Sequence, residues 1–331
     1  MREGKKQHMT TQSRYDMDHI IRHINRLSPR SEPVLRADAG EAGMLELQLE
    51  QMRARVYEVQ YTELKARKFL PVATDIDTGA ETFSYEQTDE VGEAKIITNY
   101  SDDLPSASSK TEKITHHIVS LGDSFEYSIQ DLRRAAFSGV PLDARKAKAA
   151  RNAYERGLDG LAATGSAAHN IGGFVAATGV EISAAIGAVW SGKTGAEVLA
   201  DLNKLVNDFI TNNKETILPD TLLLPTAQYL KLSQTQMDTA NSRTALEAFK
   251  ASNPSVNMVE PWNVFDGAGD SGKDRAVLYR RDPEIVELVI PQEFEVFAPE
   301  PRNLAFVVNC HGRTAGTCIY RPLGIRYMDG I

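Results

Sequence analysis

The chain has 331 residues, with 37 Lys and Arg against 45 Asp and Glu, a net charge of −8, and 42% hydrophobic residues. That composition suits a globular protein with room for two modest subdomains, and its acidic balance argues against a dedicated nucleic-acid binder, which needs a cationic surplus on its binding face. The two cysteines, Cys310 and Cys318, are spaced too widely for a Cys-x-x-Cys redox or zinc pair and read as reduced core residues. The polar start and the absence of any apolar run of about 20 residues point to a protein made and kept in a cytoplasm, without a membrane span.

From Met1 to about Gly43 the chain reads as an extended arm, broken by Pro29 and Pro33, in which Ile20, Ile21, Ile24 and Leu27 are enough for one short helix. The arm is locally basic: Arg2, Lys5, Lys6, Arg14, Arg22, Arg26, Arg30 and Arg36 outnumber Glu3, Asp16, Asp18 and Glu32. A solvated tail accounts for this on composition alone. Met44, Leu45, Leu47, Leu49 and Met52 then begin a helix predicted to end before Pro71.

Next comes a two-stranded excursion. Thr82 to Glu86 alternates aromatic and polar residues at strand period, and Ile114 to Val119 returns as a second run rich in β-branched residues. Between them lie Asp89, Glu90, Val91, Gly92 and Glu93, then Ser101 to Lys113, polar and interrupted by Pro105. A ribbon with so little apolar surface is marginal alone in water and is expected to find its partner on another subunit. A short helix is predicted around Ile129 to Ala136, and a long one from Leu142 to Thr164, opened by Pro141 and closed by Gly165. Ala147, Ala150, Tyr154, Leu158 and Leu161 recur on one face of it. Arg145, Lys146, Lys148 and Arg151 occupy its first turns, where the helix dipole disfavours cations and a neighbour's acidic surface would offset the cost.

Beyond Gly172 and Gly173 the texture becomes mixed α/β. Helices are expected at Ala196 to Asn212, Ala227 to Ser233 and Arg243 to Ala251, and strands at Thr221 to Leu224, Val256 to Glu260, Ala276 to Arg280 and Ile285 to Ile290. Two closing strands, Leu304 to Cys310 and Thr317 to Tyr320, are expected to join through Gly312 to Gly316.

The sharpest catalytic signal is Gly187 to Thr194, which satisfies the phosphate-loop pattern, with Lys193 and Thr194 in the places that meet phosphate and magnesium. Context argues against it: the preceding Val180 to Ala185 is weakly apolar, no apolar strand ending in Asp follows, and Thr194 with Glu197 makes a helix capping box that explains the Thr without nucleotide. His116 and His117 are sequential in a strand and point to opposite faces; His169 and His311 lack partners at ligand spacing. No Gly-x-Ser-x-Gly elbow occurs. No catalytic residue, metal ligand or cofactor is expected.

The order of parts, with short strings at Gly92 to Ile97, Asp103-Leu104-Pro105, Phe125 to Ser128 with Asp131-Leu132, Trp190 with Thr194 and Glu197, Leu222 to Pro225, and Tyr320-Arg321-Pro322 with Tyr327 and Asp329-Gly330, resembles tailed-bacteriophage major capsid proteins of the Hong Kong 97-type fold. The resemblance implies an α+β fold divided into an N-arm (1–43), a helix and lead-in (44–73), an E-loop hairpin with flanking strands (74–125), a spine-helix region (126–172), an α/β A-domain (173–290) and P-domain terminal strands (291–331). It implies a non-enzymatic protein of the virion, assembled in the host bacterial cytoplasm as pentamers and hexamers into an icosahedral shell around double-stranded DNA. Encapsulin-like compartment shells share the fold and are the nearest alternative; a phosphate-loop nucleotide hydrolase is the alternative from another class. Expected inter-subunit residues are Arg22, Arg26 and Arg30 of the arm, Glu86, Asp89, Glu90, Glu93, Lys95, Lys110 and Lys113 of the ribbon, and Arg145 and Lys148 of the helix. The short stretch before Thr82 leads to the expectation of a separate scaffolding protein, with portal and decoration proteins as further partners. Lys95, Lys110 or Lys113 with Asn303 or Asn309 could be tried as a crosslink, but nothing in the sequence marks a pair.

Overall fold

The structure is a computed structural model, described here for residues 64–92, 108–138, 142–186, 189–238 and 241–331. The N-terminal arm, the start of the Met44 helix, and Glu93 and Lys95 lie outside the described residues. Near the predicted end of that helix the chain is not helical at Leu64 and Lys65, and Ala66–Phe69 is a separate four-residue helix capped at Lys65, so the single helix expected to run up to Pro71 is interrupted here.

A five-stranded mixed sheet organises the second half, in the order Glu181–Ala184, Ile325–Asp329, Arg275–Tyr279, Thr221–Leu224, Met258–Pro261. Its central strands are covered on both faces, which is why Thr221–Leu224 and Arg275–Tyr279 read as unbroken apolar runs. Leu222, Leu224, Ala276, Leu278 and Met328 share one core with Trp190 and with Val198, Leu202, Leu205 and Phe209 of the helix Gly195–Asn212. The alternate residues Leu223, Val277, Tyr279, Ile325 and Tyr327 join Phe69, Phe174, Trp262 and Phe265 on the opposite side. There Phe174 meets Tyr279 edge-on at 5.0 Å and Phe69 lies 5.3 Å from Trp262.

Two boundaries differ from the sequence reading. The strand Ile325–Asp329, assigned to the terminal strands, is inserted between Glu181–Ala184 and Arg275–Tyr279, because Ile325 and Tyr327 on one side and Met328 on the other are all apolar and need cover on both faces. Val286–Val289, assigned to the α/β half, instead pairs with Val72–Ala73 and Gly316–Ile319 in a separate three-stranded sheet.

The long helix runs from Leu142 to Thr164 as predicted, 23 residues or roughly 35 Å at 1.5 Å per residue. Among its described side chains, Ala150, Tyr154, Leu158, Ala162 and Ala163 are buried. It ends at Gly165, whose φ of +68° and crowding, with a Cβ falling 2.4 Å from the Ile171 carbonyl, admit no side chain. The helix lies on a four-stranded sheet whose centre is Ala305–Thr314, paired along its full length with Val119–Ser128. Here the expected Gly312 to Gly316 joint is corrected: the strand continues to Thr314, and Gly316–Ile319 belongs to another sheet. Gly312 is a packing glycine, since a Cβ there would sit 2.5 Å from the Tyr154 ring.

Candidate assembly surface

The excursion is a two-stranded antiparallel ribbon, Thr82–Val91 paired with Ser108–His117 over ten register positions and, among the described residues, with no other strand. At about 3.4 Å per residue it reaches roughly 34 Å. Both strands are longer than the aromatic and β-branched runs suggested, because the charged outer parts are complementary: Glu86 stands opposite Lys113 and Asp89 opposite Lys110. The Thr88 and Thr111 hydroxyls meet at 3.1 Å. The return strand ends at His117; Ile118 is buried, and Val119 begins the neighbouring strand rather than finishing the ribbon.

Alternation sorts the ribbon into two faces. One, with Thr82, Ser84, Glu86, Thr88, Thr111, Lys113, Thr115 and His117, is polar throughout. The other carries Phe83, Tyr85, Ile114 and His116 at its root, then the Gln87, Glu112, Asp89 and Lys110 positions, and Val91 opposite Ser108 at the end of the register. That root does find a partner at home, a qualification of the sequence reading: Tyr85 meets Tyr320 edge-on at 4.8 Å, and Phe83 packs on the small cluster of Ala73, Ile118, Val289, Ala315 and Cys318. His116 stacks on Phe83 at 5.2 Å and on Tyr85 at 5.8 Å, with its Nε2 buried and unpartnered. Burial, with His117 adding, holds the His116 imidazole below its usual pKa of 6.5. Burial likewise raises Glu287, which accepts a 3.0 Å hydrogen bond from Tyr320, and pushes the Cys318 thiol up to about 12. A cleft of about 1050 Å³ opens beside this root, lined by Tyr85, Thr88, Asn213, Lys214, Tyr320 and Leu323 among others.

The structure therefore pairs four of the expected assembly residues, Glu86 with Lys113 and Asp89 with Lys110, inside the ribbon itself, and the ribbon presents them as a unit. Glu90 stands opposite Ser109. Arg145 and Lys148 are exposed on the long helix. On the same helix Lys146 bonds the Glu126 carbonyl and lies 4.8 Å over the Tyr127 ring, and Arg151 acts on Glu293.

The phosphate-loop lookalike resolves into a structural device. Thr194 caps the helix Gly195–Asn212 reciprocally with Glu197, as the sequence indicated. Lys193 is buried and forms a 2.5 Å ion pair with Asp201, which has no exposed surface and also accepts from Trp190 Nε1 and the Ile186 amide, each at 2.8 Å. The ammonium is thus committed to an internal carboxylate. Asp201 is the residue sequence reasoning missed; an acid at the mid-position of an apolar helical stripe, between Val198 and Leu205, was the available signal. Among the described residues no group of His, Cys, Asp and Glu could hold a metal ion, and no helix is long and apolar enough to cross a membrane.

The family model for major capsid proteins matches residues 92–331. The chain belongs to the major capsid protein family. No curated protein matches its sequence. Among solved structures, it is similar to the capsid of Myoviridae phage XM1, at 16% identity over 91% of this chain and 100% of that one, with a TM-score of 0.75. It is also similar to the capsid of a native GTA particle, at 12% identity, 88% and 99% coverage and a TM-score of 0.64. The virus-like particle from Pyrococcus furiosus, at 14% identity, 79% and 91% coverage and a TM-score of 0.50, has the same fold in outline. The fold of this major capsid protein is α+β and of the Hong Kong 97 type. It is a shell-forming protein of a structural family, and neither alternative from the sequence is favoured.

Proposed function

We propose that this major capsid protein assembles through pentamers and hexamers into the icosahedral head of a tailed bacteriophage and encloses its double-stranded DNA without reading sequence. The observation that carries this reading is the ribbon: ten paired positions that, among the described residues, pack on the body through an aromatic root, with one face polar from end to end. Such an element gains its missing burial when a neighbouring subunit supplies the surface, so its ordering and assembly are thermodynamically linked. The net charge of −8, repeated over many copies, would keep packaged DNA from adhering to the wall and so permit loading and release. The ribbon residues Glu86, Asp89, Glu90, Glu93, Lys95, Lys110 and Lys113 serve this contact together, and the arm cations Arg22, Arg26 and Arg30 meet DNA, scaffold or a neighbour's acidic loop. A separate scaffolding protein, a portal and decoration proteins are the partners such a head uses. The subunit performs no catalysis.

The test is electron microscopy of the purified, overexpressed chain. Closed shells with five- and six-fold capsomers support the reading; a uniformly monomeric product, with and without candidate scaffold, contradicts it. Shells that instead retain a cargo enzyme through an inner-face peptide would favour the compartment alternative.

A further inference from the structure

The cleft beside the ribbon root, about 1050 Å³, is large enough to enclose a small organic ligand, and its walls come from distant parts of the chain. Tyr85 and Glu86 belong to the ribbon, Ile217 follows the helix Gly195–Asn212, and Pro283, Tyr320 and Leu323 flank the three-stranded sheet. The helix end is tied to this floor, since Asn213 Nδ2 donates to the Phe209 and Leu323 carbonyls at 3.0 and 2.8 Å, so the cleft is formed before anything enters it. Strand alternation places one acid there. Along Val286–Val289, Val286 and Leu288 enter the main core, whereas Val289 joins the apolar cluster under the ribbon root and Glu287 lines the cleft. Glu287 is half-buried, accepts a hydrogen bond from Tyr320 at 3.0 Å and, among the described residues, has no cationic partner. Tyr320 in turn meets Tyr85 edge-on at 4.8 Å, so a carboxylate and two aromatic rings share one space. Negative potential collects around them: burial and then Asp75 raise Glu287 above its usual 4.5, and burial with the Glu287 charge pushes the Cys318 thiol up to about 12. Of the lining cations, Arg321 is held by Glu284 at 3.3 Å and Lys214 is exposed.

A carboxylate without a cation, two rings whose faces attract one, and apolar walls at Ile217, Pro283 and Leu323 together select an ammonium carried on a methylene chain. We propose that this cleft binds a linear aliphatic diamine or polyamine, with one ammonium on Glu287 beside Tyr85 and Tyr320 and a second at the rim carboxylates Glu86 and Glu284, and that the bound amine fastens the ribbon root to the body. A bare metal ion fits less well, since among the described residues no group of His, Cys, Asp and Glu could hold one. A ligand that contacts ribbon and body together binds only the docked arrangement and shifts the ribbon toward it. The site lies within a single subunit, so it goes beyond the shell reading and its test needs no particle.

Calorimetric titration of 1,5-diaminopentane into dissociated subunits of the full chain tests the proposal. Saturable binding of one amine per subunit is expected, with slower amide exchange over 82–91 in the bound state. Glu287→Gln keeps an acceptor for Tyr320 and should weaken binding about tenfold or more by removing a charge-assisted hydrogen bond, while circular dichroism confirms the fold. The uncharged 1-pentanol, of the same chain length, should not bind over the same concentration range. Absence of saturable binding overturns the proposal, and so does equal affinity in folded Glu287→Gln. Binding of several amines per subunit that salt of about 150 mM removes from both proteins alike also overturns it, because that is a diffuse counter-ion atmosphere around a chain of net charge −8. Should Glu287→Gln fail to fold, the alcohol decides: equal binding of 1-pentanol and the diamine to the unaltered chain refutes recognition of the ammonium.

Discussion

Replacing Lys193 by Met separates a buried structural ion pair from a phosphate site. Its ammonium is 6% exposed and its partner Asp201 0%, with the carboxylate also holding Trp190 Nε1 and the Ile186 amide. Removing the cation leaves a buried anion with two remaining donors, and breaking a buried pair from one side costs about 3–5 kcal/mol. Asp201→Asn strands the ammonium and loosens two further hydrogen bonds, so it should cost a similar amount, at the upper end of that ~3–5 kcal/mol range. The double variant Lys193→Met with Asp201→Asn should recover part of the loss, with a coupling of about 1–3 kcal/mol in a double-mutant cycle. Equilibrium urea unfolding of dissociated subunits, read by Trp fluorescence, gives all three numbers. A Lys193→Met penalty below about 1 kcal/mol, combined with loss of nucleotide binding measured by calorimetry, would refute the structural assignment and revive the phosphate-loop reading.

Gly312→Ala places a Cβ 2.5 Å from the Tyr154 ring and should destabilise by about 1–3 kcal/mol through overpacking; an unchanged unfolding midpoint would contradict the helix-on-sheet contact. Tyr85→Ala removes the edge contact with Tyr320, worth about 0.5–1.5 kcal/mol beyond burial. Hydrogen exchange across 82–91 should quicken while the five-stranded sheet is unaffected. His116 titrates below its usual 6.5, so the docked root favours the neutral ring: its contribution is complete above pH 6.5 and is lost as pH falls from there towards the depressed folded value. Glu287, raised by burial, acts oppositely, its contribution present at low pH and lost as pH rises above 4.5. Ribbon protection factors, with the intrinsic pH dependence of amide exchange divided out, should therefore fall below pH 6.5, and His116→Phe should flatten that fall; an identical protection profile in the variant would assign the effect elsewhere.

Elements whose burial is decided locally were legible in the sequence. The long helix was found to the residue because its apolar spacing and its closing glycine agree, and the Thr194–Glu197 cap was read from two side chains three apart. Misreadings fell where long-range packing sets a residue's meaning. Gly312 looked like a turn glycine but makes room for a Tyr154 ring far away in sequence, and Ile325–Asp329 could be placed only once its two flanking strands were known. The ribbon was underestimated in length because strand propensity sees Glu86 to Asp89 as polar, whereas pairing sees each acid opposite a lysine. The phosphate-loop string was correctly set aside on context, but the reason it persists, a lysine held by Asp201, needed three dimensions.

The central claim is that the ribbon completes its burial on sister copies. Amide hydrogen exchange over 82–91 and 108–117 should be compared between dissociated subunits and assembled particles. Exchange slowed by about 100-fold or more in the particle, the effect of roughly 2.7 kcal/mol of added protection, is the predicted result. Equal exchange in both states, with shells intact, would contradict it.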